Sequence, residues 1–421
     1  MRFILITILL SLLSMGRDAR AELFPDALPR VYPLSEDREQ RFPIRNAEGC
    51  QGAISEAYYY TRLENSYSRP EIAAKIERVW RLFELTVYPE FTAKLAPDPA
   101  SDIRRENRII LLFDDFGKGA QSDSRSNTAL TRKYGRDVIL MDLRVAEADT
   151  LRKSLAHELQ HVFRFHAATP AADPAARLSG EELWLDEGLS KFAEYYLDSF
   201  PERGMKEFLA APTPLEGLEF TNGESRGVEY FNAFFYVYYL YQHFGGLTLI
   251  RQMIEAPEVG ERNVNLALTA TKAAEKSPFL VAYHRFDRSF VAYQSALLLN
   301  RYADSLQSFG LYDLKLDLKD VPPNAAVDNE EIDADADISV PPLGSRYFQL
   351  KHPCFEVRLA KGMARAPLAI LVDVHEPVLE RRGRRIIAGQ RECFSDSQDG
   401  GQFLILINPG TSNTSFSVRF N

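Results

Sequence analysis

The amino-acid sequence predicts an α+β protein: helices around a small mixed sheet, followed by a small, all-β, sandwich-like C-terminal domain. Three observations carry that expectation. Apolar residues recur at helical spacing in several blocks between residues 69 and 302. Two continuous apolar runs, Arg108–Phe113 and Val138–Met141, read as buried strands. Beyond residue 342 the pattern changes to short alternating runs separated by turn residues.

Taken in order, the chain opens on Arg2, an apolar run from Phe3 to Met15 and a small-residue site, Ala19-Arg20-Ala21. That layout predicts a cleaved secretory signal over residues 1–21, with an uncleaved N-terminal anchor as the competing reading. The expected location is therefore secreted or periplasmic, and no later segment is apolar and long enough to span a bilayer. Residues 22–55 are rich in Pro, Arg and Glu and read as an irregular leader. A helix is expected from Arg69 to Leu95 through Ile72, Ile76, Val79, Trp80 and Leu82. Another runs from Asp149 or Thr150 until an Ala- and Pro-rich stretch at 167–178 breaks it. A third starts near Trp184 and carries Leu189, Phe192, Ala193, Tyr196 and Leu197 as one apolar stripe. Helical blocks at about 230–243 and 278–302 follow.

The helix-and-sheet domain is thus expected over residues 56–310, a Pro- and Asp-rich linker over 311–342 and the β domain over 343–421. The acidic run Asp333–Asp337 lacks the Gly and the distal Glu of a calcium loop and reads as solvated linker. Of three cysteines, Cys354 and Cys393 share the C-terminal region and are the expected disulfide pair, leaving Cys50. A net charge of −9 argues against a nucleic-acid partner, because phosphate binding needs a cationic surface. Oligomeric state is not legible.

The chemistry is concentrated in His157-Glu158-Leu159-Gln160-His161. Residues four apart on a helix lie one above the other, so His157 and His161 can aim imidazole nitrogens at one metal ion. Glu158 sits about 100° further round, beside the pair, where a general base for a water belongs. With only seven histidines in the chain, this arrangement arises by chance on the order of once in a hundred such sequences. Catalytic zinc needs a third protein ligand and an open position. Arg164 and Ala167 stand where a metzincin requires Gly and His, so the third ligand is sought on the following helix, in Trp184-Leu185-Asp186-Glu187-Gly188-Leu189-Ser190.

This combination resembles the gluzincin zinc metallopeptidases, closest to the hyicolysin-like group, with the likeness covering about residues 70–300 and sharpest between Ala156 and Tyr196. The resemblance implies a zincin-like catalytic domain with bound Zn2+ and a protein or peptide substrate. By it, His157, His161 and Glu187 are metal ligands, Glu158 is the catalytic base, and Tyr230 in Tyr230-Phe231-Asn232-Ala233 is the oxyanion candidate. Tyr230 reads equally as a tyrosine packed at a helix start. Glu187 lies further from His161 than in the thermolysin and aminopeptidase branches. Glu181 fits their shorter spacing but lacks the Trp-to-Gly context, so Glu187 is preferred. Glu194 and Asp186 are possible partners for a histidine's second nitrogen, and His166 and His243 have no partner motif. No segment of the G-x-M-E-N type precedes the histidine helix, which favours an endopeptidase. Val138–Met141 is the expected edge for an extended substrate. The competing function is a secreted binding or adhesion protein on the same scaffold without turnover.

Overall fold

Ile109–Asp114 and Val138–Asp142 are buried along their whole length, which is how the central strands of a sheet covered on both faces behave. They are β4 and β6 of a computed structural model that describes residues 31–35, 38–98, 108–116, 124–126, 136–168, 182–198, 215, 229–272, 285–302, 335–352, 354–359, 368–373, 383–393, 402–410 and 412–420. The expected signal peptide, the Ala/Pro-rich insert from residue 169 onward and Glu181 lie outside the described residues. The molecule is a mixed helix-and-sheet protein with two compact units. One comprises residues 1–179 with 193–199 and the other 180–192 with 200–421.

In the first unit a six-stranded sheet runs β1 (Val31–Ser35), β2 (Arg38–Gln51), β3 (Ser55–Tyr60), β4, β6, β5 (Ser124–Ser126). The pairs β3–β4 and β4–β6 are parallel and the rest antiparallel. Two expectations fail here. Residues 31–35 and 38–51 are strands, not an irregular leader: β1 is the edge strand, where Pro is tolerated, and β2 pairs with β1 through residues 38–43 and with β3 through residues 44–51. Val138–Met141 is not an edge, since β6 is paired on both sides and β5 takes the outer place.

The helix expected at 69–95 forms as α1 (Arg69–Leu82), one π-helical turn at Phe83–Val87 and α2 (Tyr88–Lys94). Ser68 and Glu71 form a reciprocal capping box with Pro at the first turn. The π turn projects Glu84, whose carboxylate accepts from the N–H groups of Ile54 and Ser55 at 3.0 and 2.9 Å and from Ser55 Oγ at 2.6 Å. That fixes the β2–β3 turn to the helix. Helix α3 (Leu151–Ala167) buries Leu155, Leu159, Val162 and Phe163, and the Phe163 ring meets Phe91 edge-on at 4.9 Å. Burying this row of side chains contributes roughly 1.5–3 kcal/mol apiece.

Helix α4 (Leu183–Leu197) is uninterrupted, and its residues are divided between the two units after Phe192. The second unit adds α5 (Glu229–Phe244), α6 (Leu247–Glu255), α7 (Gly260–Ala270) and α8 (Phe286–Tyr302), then two four-stranded sheets. One sheet is ordered β11 (Gly383–Arg385), β10 (Leu368–Asp373), β13 (Gln402–Asn408), β8 (Gly344–Gln349). The other is β12 (Arg391–Cys393), β9 (Cys354–Leu359), β14 (Thr414–Phe420), β7 (Ala336–Val340). Phe348, Leu404 and Leu406 from the first sheet share a core with Phe355, Val357, Phe416 and Val418 from the second. Strand β7 overruns the expected linker. Its Ile338 and Val340 alternate inward and pair with β14, a pattern hidden by the acidic run before it. Cys354 and Cys393 face each other across β9 and β12 and are disulfide-bonded, while Cys50 is a buried free thiol. Tyr347 of β8 donates to Gln294 Oε1 of α8 at 2.6 Å, so the sheets are docked on a helix of their own unit. Among the described residues no helix is long and apolar enough to cross a membrane.

Candidate metal centre

Local helix geometry sets two of the donors. His157 and His161, one turn apart on α3, bring their Nε2 atoms to 3.1 Å of each other. Nitrogens bound about 2.1 Å from one tetrahedral metal lie roughly 3.4 Å apart, so the spacing is close to what shared ligation requires. Both rings are half-buried, while Leu155, Leu159 and Phe163 occupy the buried side of the helix. The motif therefore stands on the open flank of an otherwise packed helix.

Glu187 supplies the third donor. It lies in the first half of α4, 7% exposed, and with His157 and His161 offers three ligand atoms within 4.8 Å of one another. Two features of the sequence fix α4 locally. A Cβ at Gly188 would lie 2.8 Å from the Ala233 carbonyl oxygen and 2.9 Å from Val237 Cγ2, so Gly permits the close approach of α5 that any larger residue would block. Trp184, buried, donates its Nε1–H to Glu182 Oε2 at 2.5 Å and packs against Phe286 and Tyr236 at centroid distances of 5.5 and 5.7 Å. The Trp-to-Gly segment is thus an anchor on one side of Glu187 and a clearance on the other.

Two turns beyond Glu187, Glu194 Oε1 lies 2.7 Å from His157 Nδ1. That contact orients the ring and leaves Nε2 to face the donor group, the arrangement metal-ligating histidines usually have. Of the two acids considered from sequence for this part, Glu194 takes it on His157; Asp186 is half-buried in the first turn of α4. Glu158 is 4% exposed and immediately follows His157 on the same turn of α3. Glu158, Glu187 and Glu194 are all buried carboxylates carried by these two helices, and a buried carboxylate is costly unless a cation or hydrogen bonds offset it.

Tyr230 opens α5, half-buried, with the Lys191 ammonium 5.7 Å from its ring centroid. Lys191 is four residues after Glu187, so Tyr230 lies beside the face of α4 that presents the ligand. His166 bonds both carboxylate oxygens of the buried Asp137 at 2.8 Å, tying the end of α3 to the start of β6. Its buried partner was not legible in sequence, where the residue stood alone.

At the C-terminal ends of the parallel strands β4 and β6 sit two fully buried carboxylates in register, Asp114 and Asp142. Burial raises the Asp114 carboxyl even though Arg62 bonds it at 2.5 and 2.7 Å. Burial also acts on Asp142, but Arg144 and the N–H groups of Arg144 and Phe116 outweigh it and hold that carboxyl below the ordinary range. Each is matched to its own guanidinium, and neither belongs to the donor group.

Comparison with known proteins adds no name to this geometry: no protein-family model matches the chain, and no curated protein is detectably similar to it.

Proposed function

We propose that this chain is a zinc-dependent metallopeptidase of the gluzincin type, with a zincin-like catalytic region, hydrolysing peptide bonds as an endopeptidase. The observation that carries the reading is the three-donor group His157, His161 and Glu187 with Glu158 beside it on the same helical turn. Two imidazoles and one carboxylate match the ligand set of catalytic rather than structural zinc, which keeps a position open for water. Zinc bound there would supply Lewis acidity, polarising a peptide carbonyl and bringing the pKa of a water toward neutrality.

The chain's own residues supply the remaining steps. Glu194 keeps His157 in the tautomer that points Nε2 at the donor group. Glu158 accepts a proton from the attacking water as the new C–O bond forms. It then delivers that proton to the peptide nitrogen as the C–N bond breaks, so one water is consumed and a carboxylate and an amine leave. Glu158 is buried, which limits competition from bulk water for that proton. Export to an oxidising compartment is supported by the Cys354–Cys393 disulfide together with the signal-like N-terminus.

Zinc reconstitution followed by cleavage of casein or a quenched-fluorescent peptide tests the reading. Glu158→Gln is expected to bind zinc like the wild type and to lose on the order of 10²–10⁴-fold in turnover. Zinc binding without any Glu158-dependent cleavage would contradict the enzyme reading and leave the non-catalytic binding protein.

A further inference from the structure

The acidic chain reverses sign in the β domain. Between residues 381 and 391 it carries five arginines, Arg381, Arg382, Arg384, Arg385 and Arg391, and no acid, against a net charge of −9 for the whole. Glu380 and Glu392 bound the run. Its second half connects β11, at the edge of one sheet of the sandwich, to β12, at the edge of the other. Successive side chains of extended backbone point to opposite sides. Ile386 turns into the sandwich core, so Arg385 and Ile387 on either side of it turn outward, and Ile387 is 57% exposed. The backbone here is pinned. Ile386 N–H donates to the Ala369 carbonyl at 2.8 Å, Gly389 N–H to that of Val357 at 2.9 Å, and Gln390 N–H to that of Ile387 at 3.1 Å. Gly389 has φ +78°, a conformation that favours glycine. Past the turn the exposed Arg391 opens β12, which the Cys354–Cys393 disulfide ties to β9.

Two other large apolar side chains are exposed among the described residues, Leu85 and Leu266. Each follows by four residues an arginine already paired with a carboxylate, Arg81 with Glu77 and Arg262 with Glu258. Ile387 differs in its neighbours. Among the described residues no carboxylate pairs with Arg385 or Arg391, and Glu356, opposite Arg391 in the strand pair, is engaged by Arg358 at 2.7 Å.

We propose that the β11–β12 turn is a docking site for the surface of an anionic lipid bilayer, with Ile387 entering the headgroup–acyl boundary and Arg385 and Arg391 binding lipid phosphates. The proposal stands on the β domain and does not depend on the peptidase reading. An arginine's planar fork matches phosphate oxygens, and an isoleucine held in water gains by transfer to acyl chains. A soluble polyanion would engage the arginines and leave Ile387 in water. Neither one small apolar group nor a few charges anchors a protein alone, whereas the two signals together do. Because the backbone is already pinned, docking has no loop to order.

Co-sedimentation of the full-length chain with phosphatidylcholine vesicles, with and without phosphatidylglycerol, tests the proposal. The readout is the extra binding that phosphatidylglycerol brings, so any contribution of the apolar residues 3–15 common to both vesicles cancels. The wild type should show that extra binding and lose it at high salt. Ile387→Ser and the double variant Arg385→Glu/Arg391→Glu should each weaken it on the order of 10-fold. Ile387→Trp should strengthen it, because an indole favours the membrane interface. All three positions are exposed, so thermal melts of the variants should match the wild type. Equal binding to the two vesicles would overturn the proposal. So would phosphatidylglycerol-dependent binding that neither Ile387→Ser lowers nor Ile387→Trp raises, since charge alone would then account for it. Retention on heparin that Ile387→Ser leaves unchanged, without vesicle binding, would also overturn it and assign the arginines to a soluble polyanion.

Discussion

Helices α3 and α4 both contribute to the candidate metal centre, yet they position their potential ligands by different physics. On α3 the spacing is intrinsic: any stable helix with histidines at 157 and 161 presents both imidazoles on one face, and the Nε2 atoms meet at 3.1 Å. On α4 the position of Glu187 is a tertiary outcome. It depends on the clearance at Gly188, the anchoring of Trp184 and the contact of Glu194 with His157. A ligand set by helical period tolerates loss of packing, whereas a ligand set by helix placement does not.

The largest expected effect exploits that difference. Gly188→Val forces side-chain atoms toward the Ala233 carbonyl and Val237, which lie 2.8 and 2.9 Å from the position of a Cβ. Overpacking of this kind costs about 1–3 kcal/mol, and displacing Glu187 should weaken zinc binding on the order of 10²-fold. Leu159→Ala is the matched change on α3. It should cost about 2–5 kcal/mol of stability, since Leu159 is fully buried, while the folded fraction keeps near-normal zinc affinity. Chelator competition and thermal melts on the two variants separate these outcomes. Equal losses of affinity from both would erase the distinction drawn between the helices.

A smaller effect is expected at the contact joining them. Glu194→Gln removes the charged partner of His157 Nδ1 and should weaken zinc binding about 10–100-fold, with the ligands themselves intact. The smallest effect lies away from the site. Burial, aided by the nearby Glu77 carboxylate, pushes the Cys50 thiol from its ordinary value of 9.0 up to about 11. A raised pKa means the folded state holds its proton longer than the unfolded chain. The stability this confers is complete below about pH 9 and is lost as pH rises through about 11. Melting temperatures of the wild type and Cys50→Ala should therefore converge in dependence on pH below 9 and diverge above it, and native Cys50 should resist alkylation at neutral pH.

The parts legible in the sequence are those governed by local period. The continuous runs at 109–114 and 138–142, the 3.6-residue stripes of α3 and α4 and the alternating strands of the C-terminal sheets all follow from residue spacing alone. The three candidate metal ligands were legible too, because two share a turn and the third sits in a Trp-to-Gly segment. What was hidden depends on partners distant in sequence. Strands β1 and β2 take an outer place in the sheet despite their Arg and Pro content, and β7 is ordered by pairing with β14, some eighty residues later. That Val138–Met141 is an interior strand follows from β5, whose three residues Ser124-Arg125-Ser126 carry no strand signal. The π turn exists to aim Glu84 at Ile54 and Ser55, and nothing in its own sequence announces that target. Likewise Glu194 is one acid among many until α4 is laid beside His157.

The most direct test of the account is the zinc stoichiometry and coordination of Glu187→Gln beside those of the wild type, by metal analysis and X-ray absorption. The predicted wild type binds one zinc with two imidazole nitrogens and a carboxylate oxygen at about 2.0–2.2 Å. In Glu187→Gln that carboxylate oxygen disappears and affinity falls by orders of magnitude, while Glu158→Gln keeps both. A Glu187→Gln protein that retains wild-type affinity and an unchanged coordination shell would contradict the ligand set on which everything else is built.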